Sequence, residues 1–234
     1  MDRKKKTHKF VWLLNDYFPI DVIKKLRYDT EASYSVTDPT ISEHICSVLL
    51  KQPNISTKSV ITDGFASVGG NTWFFAKYFS TVKANELDKT RFHMLSHNLK
   101  VLGQRKKVKV YNRNYLDLYD KLSQDIIWLD PPWLIDEKTA KKFKLMYSAH
   151  DIPTYKSLKQ MRIYLRQTDA LLPPIEISEL IGKRIKKTKY IGLKIPKNYD
   201  LKYLRKMITG SFSIFTIEEY PRPNSMKIIY LKKI

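Results

Sequence analysis

The run Ile126-Ile127-Trp128-Leu129, followed at once by Asp130-Pro131-Pro132-Trp133, is the tightest constraint this chain places on its own fold. Four consecutive apolar residues read as a strand buried on both faces, the form that parallel strands take in α/β proteins. Proline has no N–H to give to a ladder, so the strand stops at Pro131. The turn beyond it is delivered to the carboxyl edge of the sheet, where open α/β sheets bind ligands. There Asp130 offers a carboxylate, Pro131 a carbonyl and Trp133 a flat indole: acceptors for an exocyclic NH₂ and a surface on which a base can stack. That set suits methylation of a base amine. The same tetrapeptide can also be an ordinary strand-ending turn.

A second signature lies upstream. Ser59-Val60-Ile61-Thr62 reads as a strand running into Asp63-Gly64-Phe65-Ala66-Ser67-Val68-Gly69-Gly70-Asn71-Thr72 and then a helix to Phe79. Gly69 and Gly70 let the backbone fold back tightly and approach a ligand, and Asn71 or Thr72 could cap the helix. After another strand-like run comes Glu86, near the roughly 20-residue separation at which an acidic residue reaches ribose hydroxyls. No lysine follows the glycines in Walker fashion, which argues against a phosphate-gripping loop.

The 234 residues are enough for one sizeable core, and 43% hydrophobic with 12% aromatic content is globular rather than disordered. Lys and Arg total 43 against 23 Asp and Glu, a net charge of +20 that points to a polyanionic partner, nucleic acid ahead of a membrane. No basic amphipathic helix and no long apolar span is present, and Phe10 to Leu14 is shorter than a signal-peptide core, so the expectation is an intracellular protein that binds no membrane. The lone Cys46 excludes an internal disulfide and any multi-cysteine metal site, and it falls on the apolar face of a helix. His93 and His97, at i and i+4, lack a third ligand at suitable spacing, so no metal is expected.

Residues 1–50 read as a basic, helical extension and 51–234 as the main domain. Asp38-Pro39-Thr40 opens a helix with Thr40 to Glu43 spaced as a capping box. Strands near 59–62, 81–85, 108–111 and 126–129 alternate with helices near 72–79, 89–102 and 115–123, which implies βαβ units and a parallel sheet. Residues 134–174 lack a clean period, although 155–164 could be helical; this stretch is a candidate docking site for a protein partner. Then come a helix at 176–185, a strand at 190–195, a helix at 201–208 and a hairpin-like pair of strands at 213–218 and 226–231.

With these residues in view the chain resembles the trimethylguanosine synthase family, the S-adenosylmethionine-dependent enzymes that methylate N2 of a 7-methylguanosine cap. The resemblance rests on Ser35-Val36-Thr37 leading into the helix with Glu43-His44-Ile45, on Asp63-x-Phe65 with Val68-Gly69-Gly70-Asn71-Thr72, on Asn98 before Gly103, on the Pro-Pro-Trp turn and on Ile195-Pro196-Lys197-Asn198. It implies an α/β fold of the class I methyltransferase type, Rossmann-like, mostly parallel with an antiparallel C-terminal hairpin. It also implies S-adenosyl-L-methionine as methyl donor and capped RNA as substrate. Asp63, Gly69 and Gly70 would line the methionine end of the donor, Glu86 would hold its ribose, and Asn114 would accept from its adenine amine. Asp130 and Pro131 would accept the N2 hydrogens. Trp133 would stack on the charged 7-methylguanine with a cation–π contribution of about 1 kcal/mol or more. Arg27 and Lys197 would meet the cap triphosphate.

Three departures bear on this expectation. Ser67 stands where the family has a glycine and fits easily only at negative φ; Asn114 replaces an aspartate; Asp130 replaces a serine before Pro-Pro. Asp-Pro-Pro-aromatic is the usual form in enzymes that methylate N6 of adenine or N2 of guanine within DNA or RNA, which is the rival reading. An RNA-binding subunit with a decayed donor pocket is the other.

Overall fold

The computed structural model describes residues 14–131, 181, 188–196, 201–221 and 226–234. Two compact units divide it, one ending at Trp128 and one beginning at Leu129. In the first, helices α1 (Ile20–Ile23), α2 (Thr30–Ser35) and α3 (Pro39–Leu50) precede an alternation of strand and helix. This runs β1 (Val60–Asp63), α4 (Gly70–Tyr78), β2 (Thr81–Asn85), α5 (Lys89–Val101), β3 (Val108–Tyr111), a 3-10 turn at Tyr115–Asp117 and β4 (Ile126–Leu129). The strands are parallel, in the order β3-β2-β1-β4. Register places Asp63, the last residue of β1, beside Ala84 on one side and Trp128 on the other. Every residue of β4 is buried, which is why its sequence shows no polar alternation. Ile61, Val82, Phe75, Leu95 and Trp128 are fully buried, and Phe75 meets Trp128 edge-on with ring centroids 5.9 Å apart. Each such side chain stabilises the fold by about 1.5–3 kcal/mol through the apolar area it removes from water.

The local signals that start and stop these elements differ in three places from the sequence expectation. Asp38, not Thr40, caps α3: its carboxylate accepts from the Thr40 backbone N–H at 2.9 Å, with Pro39 in the first turn. Glu43 instead turns to α4, accepting from Lys77 Nζ at 2.6 Å and the Tyr78 hydroxyl at 3.0 Å. Helix α4 begins at Gly70 with Gly69 as its cap residue and no side chain capping it, because Asn71 and Thr72 bond elsewhere. The helix expected over 115–123 shrinks to Tyr115–Asp117. The Gln124 side-chain amide donates to the Tyr119 carbonyl at 2.7 Å and so occupies the acceptor that a continuing helix would offer to residue 123.

The second unit contains β5 (Tyr190–Pro196), α6 (Leu201–Ile208), β6 (Phe212–Tyr220) and β7 (Met226–Lys233). Its strands are antiparallel, with β7 between β5 and β6. Ile228 to Leu231 are fully buried, and a bulge between Ile214 and Thr216 shifts the β6 register. Four parallel strands and three antiparallel ones give the α/β class I methyltransferase architecture expected from the sequence. The helices expected at 155–164 and 176–185, and the docking segment 134–174, fall outside the described residues apart from Ile181. Among the described residues no helix is long and apolar enough to cross a membrane.

Candidate active site

The loop between β1 and α4 is clamped to the carboxyl ends of its neighbours. The Gly64 N–H donates to the Trp128 carbonyl at 2.9 Å and the Ala66 N–H to the Asn85 carbonyl at 2.8 Å. The buried Asn85 side chain donates to the carbonyls of Gly64 (3.2 Å) and Arg113 (3.0 Å), joining the ends of β1, β2 and β3. Asp63 is buried, and its Oδ2 accepts from the Thr72 hydroxyl at 2.6 Å.

Gly69 lies at φ +104°, which is left-handed and favours glycine. Gly70 is needed for a different reason: a Cβ there would sit 2.7 Å from Val36 Cγ2. The close approach that the glycine pair permits is therefore to Val36 and, at Gly69, to Leu95. Ser67 adopts φ +48°, so the easy fit at negative φ is not realised. The turn is held nonetheless, because the Ser67 N–H donates to Glu86 Oε2 at 2.8 Å. Glu86 Oε1 accepts from the Asp88 N–H, also at 2.8 Å. Each carboxylate oxygen keeps a further lone-pair direction for a ligand hydroxyl. Burial raises the Glu86 pKa above the usual carboxylate range, and the two backbone N–H bonds and Arg91 oppose it. At the end of β3 the Asn112 amide donates to the carbonyls of Glu86 and Leu87. Asn114 comes two residues on, its carbonyl accepting from the Asp117 N–H at 3.0 Å.

The segment before α3 packs on this loop. Besides Val36 against Gly70, Thr37 Oγ1 accepts from the Asn71 side-chain amide at 3.2 Å, and the Ser42 hydroxyl donates to Asn71 Oδ1 at 3.0 Å. The buried Asn98 of α5 accepts the Arg27 N–H at 2.8 Å and donates to the carbonyls of Arg27 and Val68 at 2.8 and 2.9 Å. Asp29 pairs with Arg91 Nε at 2.7 Å. His97 Nε2 lies 2.8 Å from the Lys25 carbonyl, and among the described residues no three His, Cys, Asp or Glu side chains gather as metal ligands. The cavity left at this seam, bordered by Leu26, Val36, Val68 and Trp73, is about 30 Å³, a tenth of the smallest ligand pockets. Val36 and Thr37 are thus part of the loop's support. Cys46 is fully buried on the inner face of α3, and burial pushes its thiol pKa up.

On the acceptor side, Asp130 leaves β4 and its Oδ2 lies 2.7 Å from Lys194 Nζ of β5. Lys194 is 5% exposed, in the otherwise apolar run Ile191 to Ile195. Burial raises the Asp130 pKa, and the Lys194 ammonium opposes the rise. Arg27 is exposed at its side chain while Asn98 fixes its backbone. Trp133 and Lys197 lie outside the described residues.

The parallel β3-β2-β1-β4 sheet, the glycine turn after β1 and the acid after β2 define the class I methyltransferase fold. Solved structures of that shape include Trm5b from Pyrococcus abyssi, with TM-score 0.51 at 13% identity over 89% of this chain and 50% of that one. Another is Sp1610 of Streptococcus pneumoniae, with TM-score 0.52 at 12% identity over 84% and 70%. The chain belongs to the RNA cap guanine-N2 methyltransferase family, whose model matches residues 58–232. It is 34% identical over 189 residues to the uncharacterized protein L320 of Acanthamoeba polyphaga mimivirus, covering 79% of this chain and 62% of that protein. It is 25% identical over 184 residues to the trimethylguanosine synthase of Schizosaccharomyces pombe, covering 75% and 65%. The chain thus spans less than two thirds of the length of either relative. Family and fold imply S-adenosylmethionine as the donor, and the chemistry of the loop fits it: carboxylates with acceptor capacity to spare and a helix start that no side chain caps.

Proposed function

We propose that this chain methylates N2 of the 7-methylguanosine cap of RNA. The observation that carries the reading is the placement of Asp63 at the end of β1 and Glu86 just after β2, on either side of a loop clamped across the strand ends, in a chain whose residues 58–232 match the cap guanine-N2 family. S-adenosylmethionine, when bound, supplies the electrophilic methyl of its sulfonium. Asp63 would hold the donor's ammonium, the N-terminus of α4 at Gly70 its carboxylate, Glu86 its ribose hydroxyls and Asn114 its adenine amine.

Asp130 and the Pro131 carbonyl accept the hydrogens of N2 and so turn its lone pair toward the methyl carbon. Gain of the donor's methyl, with loss of the methyl–sulfur bond, would leave N2 a proton to shed. Asp130 takes it, with a basicity that burial has raised above that of an exposed carboxylate. Lys194 holds the carboxylate in place. Trp133 stacks on the cationic base, and Arg27 and Lys197 meet the triphosphate. Holding donor and base in register can supply much of the acceleration in such a transfer.

Asp130 before Pro131-Pro132-Trp133 also supports the second reading, transfer to a base amine inside an RNA or DNA strand. Titration with S-adenosylhomocysteine tests the donor site first. Glu86→Ala is expected to weaken binding by about 1.5–3 kcal/mol, the range of a hydrogen bond to a charged group. No binding by the wild type would leave the RNA-binding subunit as the account.

A further inference from the structure

At the opposite end of β2 from Glu86, the chain forms an open groove of about 360 Å³ bordered by Thr81, Lys83, Arg105, Lys106, Lys107 and Lys109. We propose that this groove binds the phosphodiester backbone of an RNA strand, at a site separate from the catalytic edge. Lys83 and Lys109 stand directly opposite one another on the parallel strands β2 and β3, so their side chains leave the same face about 5 Å apart at the backbone. The Lys109 ammonium lies 5.5 Å from the Tyr111 ring centroid, which adds an aromatic flank. Arg105, Lys106, Lys107 and Lys109 are exposed. None of the five cations has a carboxylate within ion-pair distance among the described residues, where the ion pairs join other side chains.

Lysines on an edge strand such as β3 commonly serve only to prevent sheet-to-sheet aggregation. Lys83 does not fit that role. It lies on the inner strand β2, half-buried, with its ammonium donating to the Ser123 carbonyl. Burial first, and Lys109 second, hold its pKa below the ordinary lysine range. A half-buried cation beside a second, exposed one is destabilising alone and is relieved by an anion that meets both. The cluster of exposed cations and the lack of exposed apolar side chains among the lining residues favour a nucleic-acid backbone over a membrane surface. The five residues of β2 put the groove about 15 Å from the Glu86 end, so a strand engaged there would reach the carboxyl edge with its terminus.

The test is anisotropy titration of a short uncapped oligoribonucleotide across a salt series. A groove variant, K83M/R105Q/K106Q/K109Q, is compared with a control, K24Q/K51Q/K58Q/K206Q, that loses the same charge elsewhere. The groove variant is expected to bind more weakly, with a slope of log affinity against log salt shallower by about 2 to 3, at about 0.7 per lost phosphate contact. The control is expected to change by less than 1. S-adenosylhomocysteine and 7-methyl-GTP affinities are expected to stay at wild-type values in both, so failure of the groove and failure of the cap reading are separable. If the groove variant misfolds, R105Q/K109Q, both exposed, is expected to lose about 1.4 of slope. Equal losses in groove variant and control, no loss, or tighter binding to phosphatidylserine vesicles than to RNA at equal salt would each overturn the proposal.

Discussion

Ser67→Gly isolates the one position where the loop departs from its family in backbone rather than in side-chain chemistry. Ser67 sits at φ +48°, a left-handed conformation that disfavours a residue with a Cβ by about 1–2 kcal/mol. Glycine removes that strain but gives the unfolded chain more freedom, which offsets about 0.4–1 kcal/mol. The net change lies between about 0 and 1.6 kcal/mol of stabilisation, centred near 0.8. For a chain of this length that raises Tm by about 2–3 °C. Ser67→Ala keeps the Cβ and the strain and removes only the hydroxyl, so its Tm should stay within about 1 °C of wild type. In both variants the residue-67 N–H still reaches Glu86, so S-adenosylhomocysteine affinity should change less than about two-fold. Thermal unfolding followed by circular dichroism reads the first effect and calorimetry the second. A Ser67→Gly protein that melts below wild type, or Ala and Gly variants with equal Tm, would refute the account of this turn.

Asn98→Ala removes three hydrogen bonds and leaves the buried Val68 carbonyl without its partner. It should destabilise the protein by about 2–4 kcal/mol in urea unfolding, and an effect under 1 would deny Asn98 its role at this seam. For Lys194→Met the sign comes from the pair: Lys194 lowers the raised pKa of Asp130, so its removal raises that pKa further. The acidic limb of the kcat/KM profile for cap methylation should then move to higher pH, whereas an unmoved limb would exclude Asp130 as proton acceptor. Glu86 has a raised pKa in the fold, so its contribution to stability is full below the ordinary glutamate pKa and lost as pH rises through the folded value. Glu86→Gln should flatten the wild type's dependence over that interval in pH-resolved melting; an unchanged slope would contradict the burial of Glu86.

The sheet was legible because its signals are local. Prolines after Leu129 mark where β4 ends, and the alternation of short strand-like runs with helices implies a parallel sheet. The bounds of α6 were readable from Leu201 to Ile208 alone. The illegible parts depend on pairs distant in sequence. Val36 and Thr37 were legible only as part of a family motif, and their packing on Gly70 and Asn71, about 34 positions away, was not. Lys194 partners Asp130 across 64 positions. The signal available for it was a lysine inside the apolar run Ile191 to Ile195, which has to find a carboxylate if buried. Asn85 and Asn98 left no mark as loop fasteners, since an asparagine in a strand end or helix is most often solvated. The shortened helix after Tyr115 turned on one side-chain amide, Gln124, that no periodicity reveals.

Incubating the protein with labelled S-adenosylmethionine and a panel of 7-methyl-GTP, GTP, capped and uncapped RNA tests the central proposal most directly. The account predicts label on N2 of 7-methyl-GTP and of capped RNA, none on GTP, and loss of that activity in Trp133→Ala with donor affinity retained. Equal labelling of GTP and 7-methyl-GTP, or preferred labelling of an uncapped, adenine-containing strand, would contradict it.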